Sequence, residues 1–95
     1  MSWKADANKA YEERVVNDAL ARLANRIDLN ALPFSNEELR TLARRFRESF
    51  YGSEKKRGRL DRYKAHLARI HGEEVVASVS SALEEINNAI GYEEK

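Results

Sequence analysis

Lysine and arginine residues are concentrated in the middle of the chain, and their side chains bind anions. Residues 40–69 include eleven Lys or Arg and three acidic residues, a local charge of +8. Residues 1–39 carry −2 and residues 70–95 carry −5, so the formal total is only +1. Such a segment raises the local concentration of anions, and guanidinium groups bind phosphate or carboxylate through two parallel hydrogen bonds. The chemistry predicted here is recognition of an anionic partner.

Helical spacing groups nine of these cations into two stripes and a connecting loop. Residues three and four positions apart lie on one face of a helix. The candidate binding residues are Arg40, Arg44, Arg47, Lys55, Lys56, Arg57, Arg59, Arg62 and Arg69. If the two helices that carry the stripes pack antiparallel, as a short connection favours, both stripes and the loop share one surface.

The predicted partner of this surface is a nucleic-acid backbone, and duplex DNA is the favoured form. The six-residue stretch 53–58 is longer than the usual turn of a helix-turn-helix motif. The third predicted helix has no Asn or Gln to read adenine edges, so phosphate contact is favoured over sequence readout. The function predicted is that of a small accessory or regulatory module, of the kind that phages and plasmids often encode.

Two other interpretations use the same charges. In one, an adaptor or inhibitor presents the arginines to an acidic protein surface or to a nucleic-acid-processing complex. In the other, the acidic fourth helix folds against the basic segment and neutralises it. Contacts from Glu73, Glu74, Glu84 or Glu85 to the arginines would indicate the second of these.

Residue patterns for catalysis or metal binding are weak in this chain. His66 and His71 are the only histidines, and their spacing of five places them about 140° apart on a helix. The chain contains no cysteine and no Gly-Lys-Ser/Thr phosphate loop. We therefore expect a protein that is not an enzyme and holds neither cofactor nor metal.

Apolar periodicity and helix punctuation predict an all-α fold, a compact bundle of about four helices. The predicted helices span approximately 3–28, 36–51, 59–71 and 73–90. The clearest local pattern begins the second helix, where Ser35 and Glu38 form a capping box and Phe34 and Leu39 a hydrophobic staple.

Composition limits the class of protein further. Ninety-five residues predict a single domain, 1–95, with a thin core that a second copy would extend, so a homodimer is one expectation. The N-terminal residues have no apolar segment typical of a secretory signal, and no apolar run approaches the length of a membrane span. The absence of cysteine fits a reducing compartment, and we expect a cytoplasmic protein without membrane contact.

Overall fold

In the residues that the structure describes, the protein forms four α-helices. The computed structural model describes residues 3–50 and 52–93, and side chains are described in 10–50 and 52–93. The helices are α1 (Trp3–Arg26), α2 (Asn36–Phe50), α3 (Glu54–His71) and α4 (Glu73–Glu93), with a short 3₁₀ turn at Leu29–Ala31. No strand occurs within these described ranges, which confirms the predicted all-α bundle. None of the described helices has both the length and the apolar character that a bilayer crossing requires.

The predicted capping box is present at the start of α2. The Ser35 hydroxyl accepts a hydrogen bond from the Glu38 backbone N–H at 3.1 Å. The Glu38 carboxylate in turn accepts from the Ser35 backbone N–H at 2.9 Å. Phe34 and Leu39, the two residues of the staple, are both buried. Because the four N-terminal N–H groups of a helix have no partner within it, these reciprocal bonds determine where α2 begins.

Each helix contributes one completely buried leucine to a single core. These side chains are Leu23, Leu42, Leu67 and Leu83. They belong to one continuous apolar cluster that includes buried side chains of all four helices. Truncation of a buried leucine to alanine typically costs about 2–5 kcal/mol of stability, so these positions hold the bundle together.

Helices α2 and α3 run antiparallel, and α3 and α4 do so as well. His71, at the end of α3, hydrogen-bonds Glu38 near the start of α2. At the other end of the pair, Phe50 of α2 and Leu60 of α3 line the same cleft. Gly72, with φ 105°, connects α3 to α4 directly, and α1 packs against both α2 and α4.

The start of α3 differs from the prediction by five residues. Residues 54–58 are helical, so Lys55, Lys56 and Arg57 belong to the first turn of α3 and not to a loop. Gly52 makes the tight turn, because a Cβ there would collide with the Glu48 carbonyl oxygen and the Lys56 side chain. Gly58 lies inside the helix, where glycine is tolerated at a cost of about 1 kcal/mol.

Smaller corrections apply to the other helix ends. Helix α1 stops at Arg26 instead of residue 28, because the Asp28 side chain accepts from the Asn30 backbone N–H and caps the 3₁₀ turn. Helix α4 continues past residue 90 to Glu93, where an ion pair with Arg22 holds its last turn. Helix α2 is described up to Phe50, and the predicted last position, 51, lies outside the described residues.

Candidate nucleic-acid interface

Helix α3 carries the most concentrated positive charge in the structure. It holds seven Lys or Arg residues and two acidic residues, a helix charge of +5. Six of the predicted binding residues lie on it, and all six are exposed: Lys55, Lys56, Arg57, Arg59, Arg62 and Arg69. Within the described parts of the chain, none of these six makes an ion pair. Their charge is therefore open to solvent.

The first turn of α3 is electrostatically unusual. Three consecutive cations, Lys55 to Arg57, stand where the helix macrodipole is positive, and only Glu54 complements it. Ser53 occupies the N-cap position without a side-chain hydrogen bond to the helix. An anion placed here would meet both the lysines and the positive end of the helix.

The arginine stripe of α2 contacts α1. Arg40 donates a 2.6 Å hydrogen bond to the Asn17 side chain and lies 3.9 Å from a carboxylate oxygen of Glu13. Arg47 donates to the Tyr11 hydroxyl at 3.3 Å, and its guanidinium lies 5.8 Å from the centre of that ring. Both arginines are partly buried. Both side chains are therefore held against α1, unlike the six exposed cations of α3.

The remaining arginines of α2 are also partly buried. Arg44, the third member of the predicted stripe, has intermediate exposure. Arg45, which was not in the predicted site, pairs with Glu48 one turn later at 3.3 Å. The six cations of α3 thus share an exposed helix, while the three predicted residues of α2 lie in a less accessible setting.

Among the described side chains, no glutamate of α4 forms an ion pair with an arginine of α2 or α3. Glu85 pairs with Arg26 and Glu93 with Arg22, each at 2.5 Å, so both tie α4 to α1. Glu73, Glu74 and Glu84 form no ion pair with any described residue. Neutralisation of the basic segment by direct contact with α4 is therefore not found among the described side chains.

The packing of α2 on α3 indicates whether these helices form a helix-turn-helix motif. Helix α3 begins at Glu54, so the connection is shorter than the predicted loop over residues 53–58. However, a helix-turn-helix crosses its helices at about 90–120°. The contacts at both ends of the α2–α3 pair show an antiparallel hairpin instead. The antiparallel pairing favours a helical hairpin over that motif.

The two histidines occupy different environments. His71 is half-buried, its Nε2 lies 3.1 and 3.2 Å from the two carboxylate oxygens of Glu38, and its ring packs edge-on against Phe34. His66 is exposed, beside Tyr63. Within residues 3–50 and 52–93, no group of three or more His, Cys, Asp or Glu residues is arranged to hold a metal ion.

Sequence reasoning overlooked one cation that packs against an aromatic ring. Lys64 of α3 lies 5.7 Å above the centre of the Phe46 ring, a cation–π contact between α3 and α2. It is one of two charged side chains lining a cleft beside Phe50. Its spacing of seven residues from Arg57 was the only available sign that it shares a face of α3 with a candidate residue.

Comparison with protein-family models, curated proteins and solved structures finds no match for this chain. Charge, exposure and contacts of the described residues are therefore the observations from which its function is inferred.

Proposed function

We propose that the protein is a non-enzymatic binding module that holds a nucleic-acid backbone on the exposed surface of α3. The observation that carries the proposal is the set of six exposed α3 cations, none of which is ion-paired to a described residue. Repeated phosphates are a ligand that several such side chains can contact at once. The proposed contacts are Lys55, Lys56, Arg57, Arg59, Arg62 and Arg69.

Phosphate contact implies a steep dependence of binding on salt. Each neutralised phosphate releases condensed counterions, so log affinity falls with log salt at a slope of about −0.9 per contact for duplex DNA and −0.7 for single strands. Six contacts therefore predict a slope of roughly −4 to −5. The measurement is a fluorescence anisotropy titration of labelled duplex DNA, single-stranded DNA and RNA at several salt concentrations.

Matched variants distinguish a binding site on α3 from a general effect of positive charge on the protein. Arg62→Gln is expected to weaken binding and to reduce the magnitude of the salt slope by about 0.7–0.9, since one phosphate contact is lost. Arg14→Gln removes one exposed charge from α1 and is expected to leave the slope unchanged. Arg40→Gln is expected to have a smaller effect than Arg62→Gln, because Arg40 already bonds to α1. Equal effects of Arg62→Gln and Arg14→Gln would contradict a site on α3.

An acidic protein surface is the alternative partner for the same cations. It predicts no intrinsic affinity for any of the three nucleic acids, together with co-purification of a single acidic protein. Arg62→Gln would then weaken that protein complex. A salt-insensitive or undetectable nucleic-acid complex would remove the backbone-binding proposal in favour of this alternative.

A further inference from the structure

His66 belongs to a straight row of side chains along the exposed side of α3. Successive members of the row are four and three positions apart, the spacing that keeps residues on one face of a helix. All of them are exposed. The row consists of Lys55, Arg59, Arg62, His66 and Arg69. At a rise of about 1.5 Å per residue, it covers about 21 Å of the helix axis.

The buried leucines of α3 show that this row faces away from the core. Leu60 and Leu67 belong to the apolar cluster, and both are buried. At about 100° per residue, they lie roughly 130° around the helix from the middle of the row. Helices α2 and α4, which pack against α3, therefore leave the row open to a ligand.

Two arginines are the charged neighbours of His66 on its own helix. Arg62 lies four residues before it and Arg69 three residues after it. Neither arginine forms an ion pair with a described residue. The other positions at these spacings, Tyr63 and Ile70, carry no acidic group. His66 thus stands between two cations.

Helix α2 presents charged groups of both signs on the side of His66 where Tyr63 lies. The centres of the His66 and Tyr63 rings are 6.1 Å apart. The α2 groups that act electrostatically on this tyrosine are Glu37, Glu38 and Arg45. None of them forms an ion pair or a hydrogen bond with His66 among the described side chains. The imidazole nitrogens are therefore open to a ligand.

The carboxylates of α4 that approach α3 do so on the far side of that helix. Glu73 and Glu84 line a groove together with Lys64 and Ala68 of α3. Lys64 and Ala68 are each two positions from His66, hence about 160° around the helix from it. The body of α3 therefore separates His66 from this groove.

Protonation makes His66 a fifth cation of the row. Histidine is the side chain whose charge changes between about pH 5 and 8. When His66 is neutral, the row has a gap of about 10 Å along the helix axis between Arg62 and Arg69. A phosphate held by these two arginines favours the protonated imidazole, because an opposite charge nearby favours the charged form. A ligand that binds the protonated form better must bind more tightly as the pH falls.

We propose that His66 is a pH-dependent phosphate contact of α3, an inference that rests on the proposed function of that helix. The protonated imidazole donates a hydrogen bond to a backbone phosphate held between Arg62 and Arg69. Binding at neutral pH then takes up a proton from solvent. Nucleic acid is accordingly held more tightly in mild acid than in mild base.

The salt slope measured at two pH values tests this contact, since the slope counts phosphate contacts. A labelled oligodeoxythymidylate is titrated by fluorescence anisotropy at pH 5.5 and pH 8, because thymine and phosphodiesters keep one protonation state over this range. The slope is expected to be steeper at pH 5.5 by about 0.7, the value for one contact on a single strand. At 0.1 M salt this contact corresponds to roughly fivefold in affinity.

Three variants assign the pH dependence to one side chain. His66→Gln cannot be protonated and is expected to give the shallower slope at both pH values. His66→Arg is charged at both and is expected to give the steeper slope at both. His71→Gln removes the only other histidine, which contacts Glu38, and is expected to keep the difference between the two pH values. Circular dichroism at each pH checks that the variants remain helical.

The outcomes distinguish this inference from the proposed function. If the native protein binds with one steep slope at both pH values, or if His66→Gln retains the difference, His66 is not a contact, while backbone binding by α3 stands. If His66→Arg binds like His66→Gln at both pH values, charge at this position does not reach the ligand, and the inference is likewise overturned. If the native protein binds at neither pH, both proposals fail.

Discussion

Among single residues, Glu38 has two structural roles: it caps the start of α2 and it links α2 to the end of α3. Its carboxylate accepts from the Ser35 backbone N–H at the start of α2 and lies 3.1 Å from His71 at the end of α3. The Ser35 N–H, with a smaller contribution from His71, lowers the pKa of Glu38 below its ordinary value of 4.5. One side chain thus begins a helix and closes the α2–α3 hairpin.

The lowered pKa of Glu38 predicts a loss of stability in acid. A carboxyl group with a lower pKa in the folded state stabilises that state above its ordinary pKa, and this stabilisation disappears as the pH falls through the lowered value. We expect the free energy of unfolding to fall below about pH 5, and to fall less in Glu38→Gln. The glutamine keeps an oxygen for the Ser35 N–H but does not titrate. Urea unfolding between pH 7 and pH 3 measures the difference.

Glu37 provides the matched control for this prediction. It is the neighbouring glutamate in the first turn of α2, is exposed and has no ion-pair partner among the described residues. Glu37→Gln is expected to retain the acid dependence of the native protein. If Glu38→Gln retained it equally, Glu38 would not contribute to the acid sensitivity.

At the scale of secondary structure elements, α3 departs most from the sequence prediction. Two glycines suggested a loop over residues 53–58, yet only Gly52 is needed for a close approach of the chain. Gly58 lies inside α3, and the four residues before it, 54–57, are good helix formers. The result is a longer helix that carries all six proposed contacts.

Two glycine substitutions test the observed extent of α3. A Cβ at Gly58 would meet only the Arg62 guanidinium, at 3.8 Å, so Gly58→Ala is expected to stabilise the protein by about 0.5–1 kcal/mol. Gly72 has φ 105° and ψ 147°, a conformation that costs other residues about 1–3 kcal/mol, so Gly72→Ala is expected to destabilise the protein. Thermal unfolding followed by circular dichroism gives both values. A destabilising Gly58→Ala would indicate that residues 54–57 are not helical.

At the scale of the whole molecule, charge is separated between two adjacent antiparallel helices. Helix α3 carries +5, while α4 contains five glutamates and no basic residue. Two of those glutamates bond to α1, and none of the described side chains of α4 pairs with the exposed cations of α3. Mutual repulsion therefore persists along α3 in the free protein, and an anionic ligand would relieve it.

Because of this repulsion, we expect a cation of α3 that binds nucleic acid to lower the stability of the free protein. Arg59 has Lys55, Lys56 and Arg62 as its helical neighbours at spacings of three and four, and all are cations. Each like-charged pair costs a few tenths of a kcal/mol. Arg59→Gln is expected to raise the melting temperature by a few degrees at low salt while weakening nucleic-acid binding. At about 1 M salt, screening removes the gain.

The control for this prediction is again Arg14→Gln. Its helical neighbours include Asp18 but no cation, so its removal is expected to bring no gain in stability at either salt concentration. A melting temperature of Arg59→Gln that is equal to or below that of the native protein at low salt would contradict unrelieved repulsion on α3.

The helical class, the start of α2 and the segregation of charge could all be predicted from the amino-acid sequence. Phe34, Ser35, Glu38 and Leu39 form a pattern that is complete within six residues, so no tertiary information was needed. The net charge of residues 40–69 is likewise a property of the chain alone. Local rules suffice when all the partners of an interaction lie within one or two helical turns.

Which of the predicted cations remain exposed follows from the way the helices pack. Arg40 and Arg47 have the same residue type and the same spacing of seven as Arg62 and Arg69 of α3, but side chains of α1 hydrogen-bond to them. The cleft joins Phe50, Lys64 and Asn88 from three helices, which no spacing along the chain brings together. Side-chain availability depends on how helices pack, and that packing is set by the buried core and not by the exposed charges themselves.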